Sequence, residues 1–186
     1  MRAAAETRPT ADLIKGAIFS MLEALAYKRG FEPDEDGDFA AALAWPRVLD
    51  LFAGTGGLGI EALSRGARSA EFVEQDRDAA RVLAANLRST GLDDRAKVHS
   101  QPAALAMRSI RAPVDLVFAD PPYADASAIP SLVHALATPE FLLSTSVVVL
   151  EQAADADPPE EIGPLPRAST RRHGRTRITL YASGEV

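Results

Sequence analysis

The chain contains no cysteine, which excludes disulfides and thiolate metal sites. Its first residues, MRAAAETRPTADLIK, lack the apolar run of a signal peptide. No stretch approaches the roughly 18 apolar residues of a membrane span. A cytoplasmic protein without a membrane partner is therefore expected. There is no internal repeat, and no excess of positive charge: the formal net charge is −6, which argues against a general nucleic-acid binder. The three histidines, His99, His134 and His173, show no ligand spacing, so no metal is expected.

What is present is an ordinary globular mixture, 47% hydrophobic and 25% charged over 186 residues. That length suits one domain with a sizeable core. The expected division is an N-terminal helix within residues 1–30 and a sheet core over 46–186, forming a single domain. Charge is unevenly spread. EPDEDGD (32–38) and EQAADADPPEE (151–161) read as acidic loops, whereas RASTRRHGRTR (167–177) carries five arginines and no acid. The arginine run is either a solvated strand pair or a local phosphate-binding face.

The periodicity predicts a helix capped by Thr10 and ended by Gly30, with an acidic, then alanine-rich, loop over 31–45. Strands are expected at 47–52, 69–76, 96–100, 114–120 and 145–152. Helices are expected at 58–67, 77–91, 102–110 and 128–138. Such alternation implies a parallel sheet with crossover helices. The ending departs from it: two strands flank Gly174 with no helix between them. The fold class expected is α/β, a doubly wound, mostly parallel, Rossmann-like sheet finished by an antiparallel hairpin.

Two motifs carry the chemistry. VLDLFAGTGGLG (48–59) matches G-x-G-x-x-G at Gly54, Gly56 and Gly59, with Glu74 twenty residues after Gly54, as in a dinucleotide site. Against that reading, Asp50 stands at the strand end, and Asp50 and Glu61 are poor company for a pyrophosphate. A carboxylate there suits a cation. S-adenosylmethionine carries an ammonium and a sulfonium: Asp50 would face its methionine portion, the loop Phe52, Ala53, Gly54, Thr55 and Gly56 would pass beneath it, and Glu74 would accept both ribose hydroxyls. The second motif, Asp120-Pro121-Pro122-Tyr123, follows a strong strand. Two prolines fix the backbone and remove two donors. An exocyclic amine on a heteroaromatic ring needs acceptors of this kind: Asp120 Oδ and the Pro121 carbonyl for its two N–H groups, and Tyr123 to stack on the ring, worth about 1–3 kcal/mol. A base inside a duplex must be flipped to reach such a clamp.

RPTADLIKGAIFSML (8–22), VLDLFAGTGGLGIEALSRGA (48–67), FVEQD (72–76), Asn86, DPPY and HGRTRITLY (173–181) together resemble the bacterial 16S rRNA (guanine(966)-N(2))-methyltransferases of the RsmD type. The resemblance implies a class I methyltransferase fold of seven strands with the last pair reversed, and S-adenosylmethionine as donor. It implies methylation of a guanine 2-amino group in small-subunit ribosomal RNA on an assembled particle; the enzyme itself is expected to be a monomer. Carried over, Asp50, Phe52, Ala53, Gly54, Thr55, Gly56 and Glu74 hold the cofactor, Asp120, Pro121, Pro122 and Tyr123 are catalytic, and Thr10 borders the cofactor. Family members commonly begin with a glycine- and arginine-rich hairpin, where seven residues precede Arg8 here. Near the adenine VHSQPA offers only Gln101, and His173 replaces a tyrosine. Arg8, Lys15, Arg171, Arg172 and Arg175 are the candidate RNA contacts. The rival readings are a DNA adenine or cytosine amino-methyltransferase, for which no target-recognition insert is long enough, an NAD-dependent oxidoreductase, and a non-catalytic RNA-binding module.

Overall fold

The computed structural model describes residues 8–32, 44–110, 113–122, 128–138 and 141–184. Most of the 31–45 loop, all of Tyr123, and the side chains of Arg8 and Thr10 lie outside the described residues.

Helix α1 spans Arg8–Lys28. It begins two residues earlier than its predicted cap, because Pro9 fits a first helical turn, where no amide partner is needed. Thr10 is thus inside the helix. The sheet then builds as β1 (Arg47–Leu51), α2 (Gly57–Ser64), β2 (Ser69–Val73), α3 (Arg77–Thr90), β3 (Ala96–His99), α4 (Ala103–Ala106), β4 (Val114–Ala119), α5 (Ala128–Leu136) and β5 (Leu142–Ala153). It closes with β6 (Glu161–Ile162), β7 (Leu165–His173) and β8 (Thr176–Ala182). The strand order is β3-β2-β1-β4-β5-β8-β7-β6. β1 through β5 pair in parallel; β8 runs against β5, and β7 against β8. The doubly wound sheet with a reversed ending is as expected, and the two-residue β6 adds an eighth strand at the edge.

Local rules account for the boundaries. Asp76 Oδ1 accepts from the amides of Asp78 and Ala79 at 2.9 and 2.8 Å, an N-cap worth about 1 kcal/mol. Gly91 ends α3 at φ 66, in the left-handed region that glycine tolerates. The predicted 102–110 helix keeps a single α-turn, 103–106, followed by turns to 110.

Strand alternation sorts the core into two faces. Val48, Phe72, Leu116, Phe118, Val147 and Val149 pack under α1, α2 and α3. Leu49, Val73, Val117, Ala119, Val148 and Leu150 pack under α4 and α5. Arg65 locks α2 to α1: its guanidinium lies 4.7 Å from the Phe19 ring and bonds Glu61 at 2.8 Å and Glu23 at 2.7 Å. The same parity sets the site. Counting on from Phe118 and Val149, Asp120 and Glu151 fall on the face of Val48 and Asp50, the face that α1 and α2 cover.

Candidate active site

The chain leaves β1 for β2 and β3 on one side and reaches β4 and β5 on the other. The carboxyl ends of β1 and β4 therefore flank the point where strand order reverses, the usual place for a ligand. Asp50 pairs in register with Phe118, and Leu51 with Ala119, so Asp50 and Asp120 stand at adjacent strand tips. Ala119 pairs with Leu150, which puts Glu151 beside Asp120 at the next tip.

Asp50 is buried, and its Oδ2 accepts from the Gly59 amide at 2.8 Å. α2 has no side-chain cap of its own, so a strand residue supplies the anion at its positive end. Gly59 is required there: a Cβ would run into the Phe72 ring and Asp50 Oδ2. Because the protein's own carboxylate takes this amide, the helix start is poorly suited to a pyrophosphate. Glu74 follows β2, with Oε2 accepting from the Gly54 amide and Oε1 from the Asp76 amide, both at 2.7 Å. Asn86 on α3 donates to the Thr55 carbonyl at 2.9 Å. Phe52 sits between these anchors at φ 65, a conformation that costs a non-glycine residue and is held only by its surroundings.

A cleft runs over these tips in two compartments that meet at Phe52 and Asp120. The larger, about 510 Å³, is lined by Asp50, Ala53, Thr55 and Glu151 and roofed by Ala11, Asp12, Ile14 and Lys15 of α1. The smaller, about 270 Å³, is lined by Glu74, Gln75, Gln101 and Pro122. The predicted residues Asp50, Phe52, Ala53, Thr55, Glu74, Gln101, Asp120 and Pro122 thus share one cleft. Pro121 and Pro122 also line a neighbouring groove of about 1120 Å³ against α5 and residues 151–160. Lys15 belongs to the cleft roof, 3.5 Å from Glu61 and 3.8 Å from Asp12. Arg171, Arg172 and Arg175 are exposed. Arg172 and Arg175 flank the β7–β8 turn, where they line a hollow with Leu13 of α1.

Sequence reading gave Glu151 no role: the residue closed the expected 145–152 strand and also opened the acidic stretch 151–161. The chain is still in β5 there, and Glu151 is only 7% exposed. An acid directly after the unbroken apolar run VVVL, at the carboxyl end of a central strand, was the available signal.

The acids strain one another. Burial pushes Asp50 up to about 7, offset in part by the Gly59 amide and reinforced by the charges of Asp120 and Glu74. Glu151 rises to about 8, again mainly through burial, with Asp120 and Asp50 adding repulsion. Asp120 is open to solvent on one side, yet loss of water from its buried side lifts it to about 6. A cleft of this size walled by such acids fits a compact cationic ligand with ribose hydroxyls for Glu74, the set of groups that S-adenosylmethionine carries.

A family model described as "Conserved hypothetical protein 95" matches residues 1–182. A Bacillus subtilis (strain 168) protein described as "Putative rRNA methyltransferase YlbH" is 32% identical over 182 residues, covering 96% of this chain and 89% of that protein. "Ribosomal RNA small subunit methyltransferase D" of Escherichia coli (strain K12) is 33% identical over 116 residues, 62% of this chain and 50% of that protein. Among solved structures, a hypothetical protein of Thermus thermophilus matches with TM-score 0.71 and 27% identity, covering 98% of this chain and 92% of its own. A conserved hypothetical protein of Streptococcus pyogenes matches with TM-score 0.69 and 36% identity, covering 74% and 86%.

Proposed function

This chain belongs to the RsmD-type family whose model is described as "Conserved hypothetical protein 95", and from that premise we propose that it is an S-adenosylmethionine-dependent methyltransferase acting on the 2-amino group of a guanine in small-subunit ribosomal RNA. The observation that carries this reading is the convergence of Glu74, Asp50 and Asp120, from three adjacent strands, on one cleft. When bound, S-adenosylmethionine supplies a methyl group activated on a cationic sulfur.

The chain's own residues do the rest by holding and orienting. Glu74 keeps lone pairs for ribose hydroxyls while two backbone amides fix its carboxylate. Asp50 balances the ligand's positive charge, and Gln101 closes the far end of the cleft. Asp120 Oδ and the Pro121 carbonyl accept the two N–H groups of the target amine. They aim its lone pair along the cleft and favour the positive charge that grows on nitrogen. Tyr123 stacks on the base. A guanine reaches this position flipped or unpaired. Arg8, Lys15, Arg171, Arg172 and Arg175 contact the RNA, and the protein works in the cytoplasm as a monomer.

The test is to incubate the protein with isotopically labelled S-adenosylmethionine and small subunits lacking native modification, then to map labelled nucleosides by mass spectrometry. N2-methylguanosine at one position is expected. Label only in adenine, in DNA or in protein would replace the reading.

A further inference from the structure

Glu151 has no part in holding the donor in this scheme, yet it is built into the site. It is 7% exposed, and its carboxylate has no hydrogen-bond partner among the described residues. It lines both the 510 Å³ compartment beside Asp50 and Asp120 and the groove beyond Pro121 and Pro122. It therefore stands where the two spaces join, which is where a target base would meet the donor. A buried acceptor with nothing to accept is costly, and it calls for a ligand that donates.

The base edge decides which ligand. In adenine and cytosine the ring nitrogen next to the exocyclic amine is a bare acceptor. In guanine, N1 carries a hydrogen beside the 2-amino group. With the cationic donor in the adjoining compartment favouring its ionised form, a carboxylate next to the amine clamp repels the first two edges and bonds the third.

We propose that Glu151 is the specificity residue of this site: its carboxylate accepts the N1–H of the target guanine while Asp120 and Pro121 hold the adjacent amine. The inference rests on the guanine-N2 reading above. It goes further by naming the group that separates guanine from other ring amines.

2-Aminopurine tests it, because it keeps the 2-amino group but presents N1 as an acceptor. Small subunits are reconstituted with guanine or 2-aminopurine at the mapped position. Methylation of each is compared at saturating S-adenosylmethionine, so that donor affinity cancels from the ratio. Wild-type protein should prefer guanine by about 10- to 100-fold. E151Q should bring that ratio close to unity, because its amide can donate to a bare N1. Equal rates for wild-type protein on both bases overturn the inference, and that arm stands even if E151Q does not fold. An unchanged ratio in folded E151Q overturns it too. Absence of N2-methylguanosine in the wild-type guanine arm overturns the parent reading, and this inference with it; that failure is recognised because it needs neither the variant nor the analogue.

Discussion

The turn after β1 and the tips of β4 and β5 are built from the same material, acids at carboxyl strand ends on one face of the sheet, but they are finished differently. In the first region every acid is tied down: Asp50 to the Gly59 amide, Glu74 to those of Gly54 and Asp76. In the second, the carboxylates of Asp120 and Glu151 have no hydrogen-bond partner among the described residues. On the proposed function, the groups that present a fixed surface to the donor are themselves fixed by backbone, and the groups proposed to engage the base keep their acceptor capacity free, at an electrostatic cost.

The sharpest way to break this contrast is at Asp120. Asp120→Ala should lower turnover by about 10²- to 10³-fold while the donor's dissociation constant, read by calorimetry, changes little. A parallel collapse of donor binding would mean that the two regions are not separate in function. The reverse experiment is Asp50→Asn. It keeps an acceptor for the Gly59 amide but removes the charge, so donor affinity should fall by about 10- to 100-fold and turnover at saturating donor should fall much less.

A third test uses pH. Asp50, Asp120 and Glu151 have folded values raised to about 7, 6 and 8, so the ligand-free fold retains protons that the unfolded chain loses above about pH 4. By linkage the stability of the free protein falls as pH rises from about 4 through about 8. A cationic donor favours the ionised acids. The preference for S-adenosylmethionine over its uncharged-sulfur product should therefore increase by about tenfold between pH 5.5 and 8.5, measured as the ratio of dissociation constants; a flat ratio would remove the acids from charge recognition. The smallest effect is expected furthest from the chemistry. Replacing Arg171, Arg172 and Arg175 with alanine should reduce the salt slope of RNA binding by about 2–3 and leave donor affinity as it was.

Much of the contrast was legible in the sequence. The glycines, Asp50 and Asp120 announce themselves because apolar runs stop and glycine or proline follows, and Glu74 because it closes the FVE run twenty residues after Gly54. The reversed hairpin was visible because strand-like segments flanked Gly174 with no room for a helix. Glu151 fell inside the expected 145–152 strand but was not marked as a site residue, since the acids after it, Asp155, Asp157, Glu160 and Glu161, share its composition and lie beyond the strand. Only register shows that β5 runs to Ala153 and carries Glu151 to the tip beside Asp120. The position of Lys15 was hidden for a similar reason. Helical spacing gives the face of α1 but not its placement over the cleft, which Arg65 secures from a different helix.

Because β8 enters the sheet in the opposite sense to β5, Thr176 lies beside Ala153, and the turn at Gly174 emerges at the same rim as the strand tips. Its tip, Gly174 and Arg175, is exposed, whereas His173 and Thr176 on either side reach inward. If the proposed RNA contacts hold, this turn is an interchangeable docking lip, one that can be lengthened, recharged or replaced to address another RNA surface.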